Sequence, residues 1–309
     1  MSTGRAAAFL DATAPTSGAP GFASFGVEMS CTALELVREL IPSRTMVARV
    51  FDGGGLRDAK GSPLARASQL APGMTVTFEL RATRMPGPLS DEALVVLYQD
   101  PFLIAVDKPA GILVHGDGSD AQTLTAQVQG HLLRQGSAAV PQALHRLDVD
   151  TSGIVLFSLT EEFQPAFDAM VAGDGMRKRY SAVIEGKLPQ QAGAWLQVEA
   201  PIARDRHDAR RMRVGRTGKP ALTRLRTVAT KGNLSLVEAE LATGRRHQIR
   251  VHLAHLGHPI VGDALYGGRR HAKGLMLHAH EVRLVHPVTN KQLVIVSQAP
   301  ERFPLFPKR

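Results

Sequence analysis

With 309 residues, 44% of them apolar and 21% charged, the chain can bury one large core with a small domain attached, and global disorder is excluded. A formal net charge of +9 and a sequence pI of about 10.1 favour a polyanionic partner, nucleic acid ahead of an anionic membrane, though plain solubility accounts for the same excess. The single cysteine, Cys31, rules out an internal disulfide framework and a cysteine-rich zinc site. No apolar run approaches the roughly 18–20 residues of a membrane-spanning helix.

In chain order, residues 1–25 are rich in Ala, Gly, Ser, Thr and Pro and lack the continuous apolar segment of a secretory leader. They read as a flexible tail on a cytoplasmic protein. Residues 26–82 read as a small α+β module. Leu34, Leu36, Val37 and Leu40 share one apolar helix face, Ser43 and Arg44 open a second short helix, 51–56 form a turn and 74–80 alternate as a strand. A unit of this size is weakly stable alone, and 81–89, with Pro86 and Pro88, reads as its linker. From 90 to 305 strands dominate, at 94–98, 103–106, 153–157, 180–184, 222–228, 234–241, 276–284 and 293–296. Helices are expected at 123–134, 160–171 and 246–256. With few βαβ alternations, the expected fold class is α+β with a central, mostly antiparallel sheet.

Three segments carry chemistry. In His145-Arg146-Leu147-Asp148-Val149-Asp150-Thr151-Ser152-Gly153 a carboxylate stands between an arginine and a small turn that an apolar strand would hold rigid. A fixed carboxylate among cations can serve as nucleophile or base; an aspartate capping a turn and paired with Arg146 fits the same residues. In residues 243–263, Arg246 and Arg250 are spaced for one helix face, with Arg245 and His247 adding charge at its start. This suits pairing with a carboxylate or binding phosphate, and equally a solvated basic helix. His252, His255 and His258 recur every third residue, a spacing that drifts around a helix, so no metal site is expected. Arg177-Lys178-Arg179-Tyr180 brings cations and a tyrosine into a strand, where the ring either stacks on a base or is half-buried. Between residues 204 and 231, ten Lys or Arg side chains stand against Asp205 and Asp208, a loop suited to phosphates.

These segments, in their order, resemble the RluA/RluD-like RNA pseudouridine synthases over about residues 94–300. Lys108-Pro109-Ala110-Gly111-Ile112-Leu113-Val114-His115 is similar to the family's KPaG..vH signature. Residues 145–153 match HRLDxxTSG, 178–180 match K-x-Y, 244–260 resemble GRTHQIRVHLAHLGHPI, and 277–279 match L-H-A. Arg246 stands where the family usually has Thr.

The resemblance implies an isomerisation of uridine in structured RNA, with no cofactor and no metal. Asp148 would initiate detachment of the uracil at C1′, and Tyr180 would pack on the base and assist proton removal from C5. Arg250 would pair with Asp148 and aim it, Arg146 would hold open the stack vacated by the flipped base, and Leu277 would line the uracil pocket. His145, Arg245, His247 and Gln248 belong to the implied substrate-binding set. The implied partner is RNA, ribosomal (large subunit) ahead of transfer RNA, acted on by a monomer away from membranes. Residues 26–82 resemble an S4-type RNA-binding module, with its basic residues reduced to Arg38, Arg44 and Arg49. The rivals are an RNA-binding or ribosome-assembly protein without catalysis, and a hydrolase using the histidine-rich block.

Overall fold

A computed structural model describes residues 5–13, 21–80, 89–116, 122–173, 175–189, 193–304 and 306. The N-terminal unit comprises strands β1 (Ala7–Thr13), β2 (Gly21–Val27) and β3 (Cys31–Thr32), helices α1 (Ala33–Leu40) and α2 (Arg44–Asp52), and strands β4 (Leu56–Asp58), β5 (Gln69–Leu70) and β6 (Thr75–Leu80). Its sheet has the order β1-β2-β6-β4, all antiparallel. Thr32 caps α1 by accepting from the Glu35 amide while the Glu35 carboxylate takes the Thr32 amide, a reciprocal box that fixes the helix start. Ser43 caps α2 by accepting from the Met46 amide, without a reciprocal bond.

Two strands lie where a flexible tail is expected. Residues 21–27 alternate buried and less buried positions, and Ala23, Phe25 and Val27 form the inner row. The small residues between them conceal the period-two pattern in the sequence. The linker at 81–89 falls outside the described residues except for Leu89. The unit does not stand alone. Phe9, Phe25 and Phe78 pack against Phe102 and Phe163 of the larger domain, with ring centroids 5.3–6.2 Å apart and mostly edge-to-face. One apolar core therefore runs through both parts.

The larger domain contains β7 (Val96–Gln99), β8 (Leu103–Lys108), α3 (Leu124–Arg134), β9 (Gln142–Ala143), β10 (Ser152–Ser158), α4 (Gln164–Ala172), β11 (Met176–Glu185) and β12 (Leu196–Glu199). It continues with β13 (Ile202–Arg204), β14 (Met212–Val214), β15 (Leu222–Lys231), β16 (Leu234–Leu241), α5 (Gln248–His255), β17 (Leu277–Val285) and β18 (Gln292–Val296). Ten strands form one sheet along the path β12-β15-β16-β11-β17-β10-β8-β7, with β18 on β17 and β9 on β10. Among the described strands only the β10–β17 pair is parallel, so the mostly antiparallel α+β expectation holds. Helix α4 starts at Gln164 rather than 160, with a proline in its first turn, where the missing amide costs nothing. The first part of the basic stretch folds into the antiparallel hairpin β13–β14 and its last part is strand β15. Among the described residues, no helix is long and apolar enough to cross a membrane.

Candidate active site

Three adjacent strands bring the site together. The loop carrying Asp148 runs into β10, Leu277 opens β17, and Tyr180 lies on β11. The register sets Gly153 beside Ala279, Tyr180 beside Ala279, and Ala182 beside Leu277. Gly153 has φ +115°, and a Cβ there would lie 2.2 Å from the Ala279 carbonyl oxygen. Only glycine allows the Asp148 loop to enter the sheet so close to β17. Beneath the loop, Lys108 is fully buried and donates from Nζ to the carbonyls of Pro109, Ile112 and Val149 at 2.8–2.9 Å. The Gly111 amide reaches the same Val149 oxygen at 2.8 Å. Burial pushes the Lys108 ammonium down to about 8 against the opposing pull of Asp150 and Asp148. The Lys-Pro motif thus ties its own turn to the backbone next to Asp148.

Above the loop lies a cleft of about 550 Å³ whose lining includes Asp148, Tyr180, Arg250, Arg146, His145, Leu277, Arg245, His247 and Gln248. Every site residue expected from the sequence therefore meets in one cavity, although their environments differ. Asp148 Oδ2 lies 3.6 Å from Arg250 Nη1, and Oδ1 lies 3.8 Å from His247 Nε2. Tyr180 is buried, and burial together with the Asp148 charge raises its hydroxyl pKa, so it stays protonated at neutral pH. Arg146 is exposed, and no ion pair joins it to Asp148, which removes the turn-cap pairing considered above. The His145 ring accepts from the Leu156 amide, and burial pushes it down to about 3. Arg245 donates from Nε to the Pro220 carbonyl at 2.9 Å. Gln248 is buried with its amide engaged by protein groups: Oε1 accepts from Thr243 and Arg245, and Nε2 donates to Leu222 and Thr223. It holds the start of α5, and its polar atoms are taken up there.

Two expectations change. Helix α5 begins at Gln248, because His247 has the left-handed φ of 57°; Arg246 therefore lies outside the helix and shares no face with Arg250. The close partner of Arg250 is Asp263, not Asp148. Nε and Nη2 each reach an Asp263 oxygen at 2.7 Å in a buried fork. The looser contact to Asp148 remains open to substrate. Sequence reasoning also missed Tyr266, in the single turn of 3₁₀ helix Ala264–Tyr266. Its ring lies against the Arg250 guanidinium (5.1 Å), and its hydroxyl is 2.7 Å from His247 Nδ1. Asp263 and Tyr266 are 13 and 16 residues beyond Arg250, a separation that no helical or strand period links.

The remaining histidines do not converge. His252 is held by Thr223 and the Ala200 carbonyl and His258 by the Glu185 carbonyl. No group of metal-ligating side chains occurs among the described residues.

Charge is arranged unevenly on the sheet. On β11 and β15, Arg179 and Arg226 are paired with Glu238, and Arg179 also with Glu281. Nearer the cleft on the same strands, Arg177, Lys178 and Arg224 have no ion-pair partner among the described residues. They line a second hollow of about 510 Å³ that shares Lys178, Leu241 and Arg245 with the first.

A carboxylate held loosely between a buried arginine and a histidine, over an apolar floor with a tyrosine and a bare cationic rim, suits an enzyme acting on a nucleic acid. Comparison with known proteins agrees. The RNA pseudouridylate synthase family matches residues 102–255. The RNA pseudouridine synthase YhcT of Bacillus subtilis is 39% identical over 67% of this chain and 68% of its own. The ribosomal large subunit pseudouridine synthase D of Zymomonas mobilis is 32% identical over 72% of this chain and 75% of its own. The solved structure of human RNA pseudouridylate synthase domain containing 1 superposes with a TM-score of 0.56 at 25% identity, over 69% of this chain and 86% of that one. The chain belongs to the RNA pseudouridine synthases of the RluA/RluD-like family, isomerases that convert uridine to pseudouridine in RNA.

Proposed function

We propose that the protein isomerises specific uridines in ribosomal RNA of the large subunit, in the cytoplasm and as a monomer, with Asp148 as the catalytic carboxylate. The observation that carries this reading is the setting of Asp148: a side chain 22% exposed, facing the cleft, with Arg250 and His247 near it but not hydrogen-bonded to it. A carboxylate left without a tight partner can approach the sugar carbon as the glycosidic bond breaks. Arg250, locked by Asp263, is a fixed cation that stabilises charge on Asp148 without following it. Tyr180 offers a neutral, buried hydroxyl and ring to the detached base, and Leu277 offers it an apolar surface. The N1–C1′ bond breaks, the uracil rotates, C5 bonds to C1′ and gives up its proton, and N1 takes one up. The product is an isomer, so the reaction requires neither oxidant nor phosphoryl donor.

The unpaired Arg177, Lys178 and Arg224 support a substrate whose backbone phosphates continue past the target nucleotide. The N-terminal unit, read as S4-like, adds to the RNA surface in this proposal. Pseudouridine maps of total RNA from cells with the gene intact, deleted, or carrying Asp148→Asn test the substrate and the role of Asp148. Loss of the same large-subunit sites in both altered strains is expected. Loss confined to transfer RNA would overturn the ribosomal assignment, and loss in the deletion alone would overturn the role of Asp148.

A further inference from the structure

The hydroxyl of Tyr266 lies between two elements that also share an apolar cluster, Ile202, Met212 and Val214 of the hairpin with Val251 and Ala254 of α5. From one side the Met212 amide of the arginine-bearing hairpin β13–β14 donates to it at 2.8 Å. On the other side it meets His247 Nδ1 at 2.7 Å. The ring of Tyr266 stands edge-on to that of His247, with centroids 5.6 Å apart, and lies against the guanidinium groups of Arg250 and Arg211 at 5.1 and 5.6 Å.

Proton accounting fixes the direction of this chain. A backbone N–H can only donate, so the Tyr266 oxygen accepts from Met212. Burial raises the pKa of Tyr266, so it keeps its own proton. Among the described residues, the one acceptor in reach of that proton is His247 Nδ1. The imidazole is neutral, since burial and the charges of Arg250 and Arg246 outweigh Asp148 and Asp263. A neutral ring that accepts at Nδ1 carries its hydrogen on Nε2. That nitrogen faces Asp148 Oδ1 across 3.8 Å. The backbone of His247 adopts φ 57°, an unfavourable conformation for a residue with a side chain, and this aims the ring into the cleft.

Resting on the functional reading above, we propose that Tyr266 is a positioning residue: its hydroxyl fixes His247 as the Nε2–H tautomer, so that this N–H donates to Asp148 once the two approach within hydrogen-bonding distance. The hairpin is part of the same device, because its Met212 amide orients the hydroxyl. His247 thereby becomes the second donor, beside Arg250, that holds Asp148 on line with the sugar.

The test uses the purified full chain and an unmodified large-subunit RNA transcript. Tyr266→Phe keeps the ring and removes only the hydroxyl. It should lower kcat about ten- to a hundredfold, the worth of one hydrogen bond to a charged group, and leave KM within about twofold. His247→Gln supplies an amide N–H whose orientation does not depend on Tyr266. In that background Tyr266→Phe should cause no further loss, the non-additivity of two residues acting as a unit. The ¹⁵N shifts of the His247 ring, assigned by their disappearance in His247→Gln, should show the Nε2–H form in the parent and a tautomer mixture in Tyr266→Phe. A KM rise with unchanged kcat would mean that the hydroxyl only braces the hairpin, and would overturn the proposal. So would additive losses in the double variant or an unchanged tautomer. If the parent chain forms no pseudouridine, the functional reading fails, while the nitrogen shifts still decide the tautomer.

Discussion

On the N-terminal unit Arg49, Arg57 and Arg66 each sit against a carboxylate, those of Glu161, Glu79 and Asp52, while Arg38 and Arg44 have no ion-pair partner among the described residues. At the cleft rim Arg177, Lys178 and Arg224 stand without one among the described residues. The two regions differ in their apolar parts as well. The N-terminal unit commits Phe9, Phe25 and Phe78 to the core it shares with the larger domain. The cleft keeps Tyr180 and Leu277 at a cavity wall. A cation already facing a carboxylate gains little from a phosphate, whereas an unpaired one gains the full counterion release. The positive charge of the whole chain is therefore a poor guide to where RNA binds; the pairing of each cation is a better one.

The largest effect that would sharpen this contrast is at Asp148. Asp148→Asn should cut pseudouridine formation by about a thousandfold or more, the loss that the proposed role of the carboxylate implies. Melting should barely change, because the side chain makes no tight bond in the resting protein. Turnover by purified protein, with calorimetry alongside, checks both halves.

Next come two substitutions that damage the fold. Phe25→Ala should cost about 3–5 kcal/mol by opening a cavity among the phenylalanines, and leave kcat unchanged below the new melting temperature. A melt with two separated steps would break the comparison, because it would mean that the N-terminal unit has a core of its own. Asp263→Asn should cost a similar ~3–5 kcal/mol by stranding the buried Arg250 guanidinium. Unlike Phe25→Ala it should also depress kcat, since Arg250 would no longer be held in place.

Smaller effects belong to the rim. Arg177→Ala and Arg224→Ala should each raise KM and flatten the salt dependence of RNA binding by about 0.7–1 in logarithmic slope, with kcat unaltered. Arg57→Ala, which removes a paired cation from the N-terminal unit, should leave that slope alone. An equal change in all three would show that pairing does not decide which cations meet RNA.

The mildest test is pH. Burial pushes the rings of His145 and His278 down to about 3 and about 4 from 6.5. The unfolded chain takes up these protons below about 6.5, while the folded one does not until the lower values. Stability is therefore full above pH 6.5 and falls as the pH drops from there toward 4 and 3. Scanning calorimetry should give a lower Tm at pH 5 than at pH 7, and a pH-independent Tm would show that these rings are not held neutral.

Much of the protein was legible in its residues for reasons that are local. Alternation in 234–241 and apolar runs at 103–106 and 153–157 define strands, because side-chain direction repeats every two residues whatever lies beyond. Ser43 marks a helix start for an equally local reason, satisfaction of free amides. The motif around Asp148 is local too, its glycine demanded by the close passage of β17. Strands β1 and β2 escaped because small residues carry little periodic signal until Phe25 finds Phe9, Phe78 and Phe163. Pairing across the chain was decided only by the tertiary structure. The residues around Arg250 suited a carboxylate, a phosphate or solvent, and the resemblance implied Asp148; bidentate geometry in a buried site gave the tight bond to Asp263 instead. Tyr266 joins His247 to the hairpin in the same way, through contacts between segments 19 and 54 residues apart. Local chemistry fixed which groups this protein has; the fold decided which of them face each other, because hydrogen bonds and ion pairs depend on ångström-scale separations that no spacing along the chain encodes.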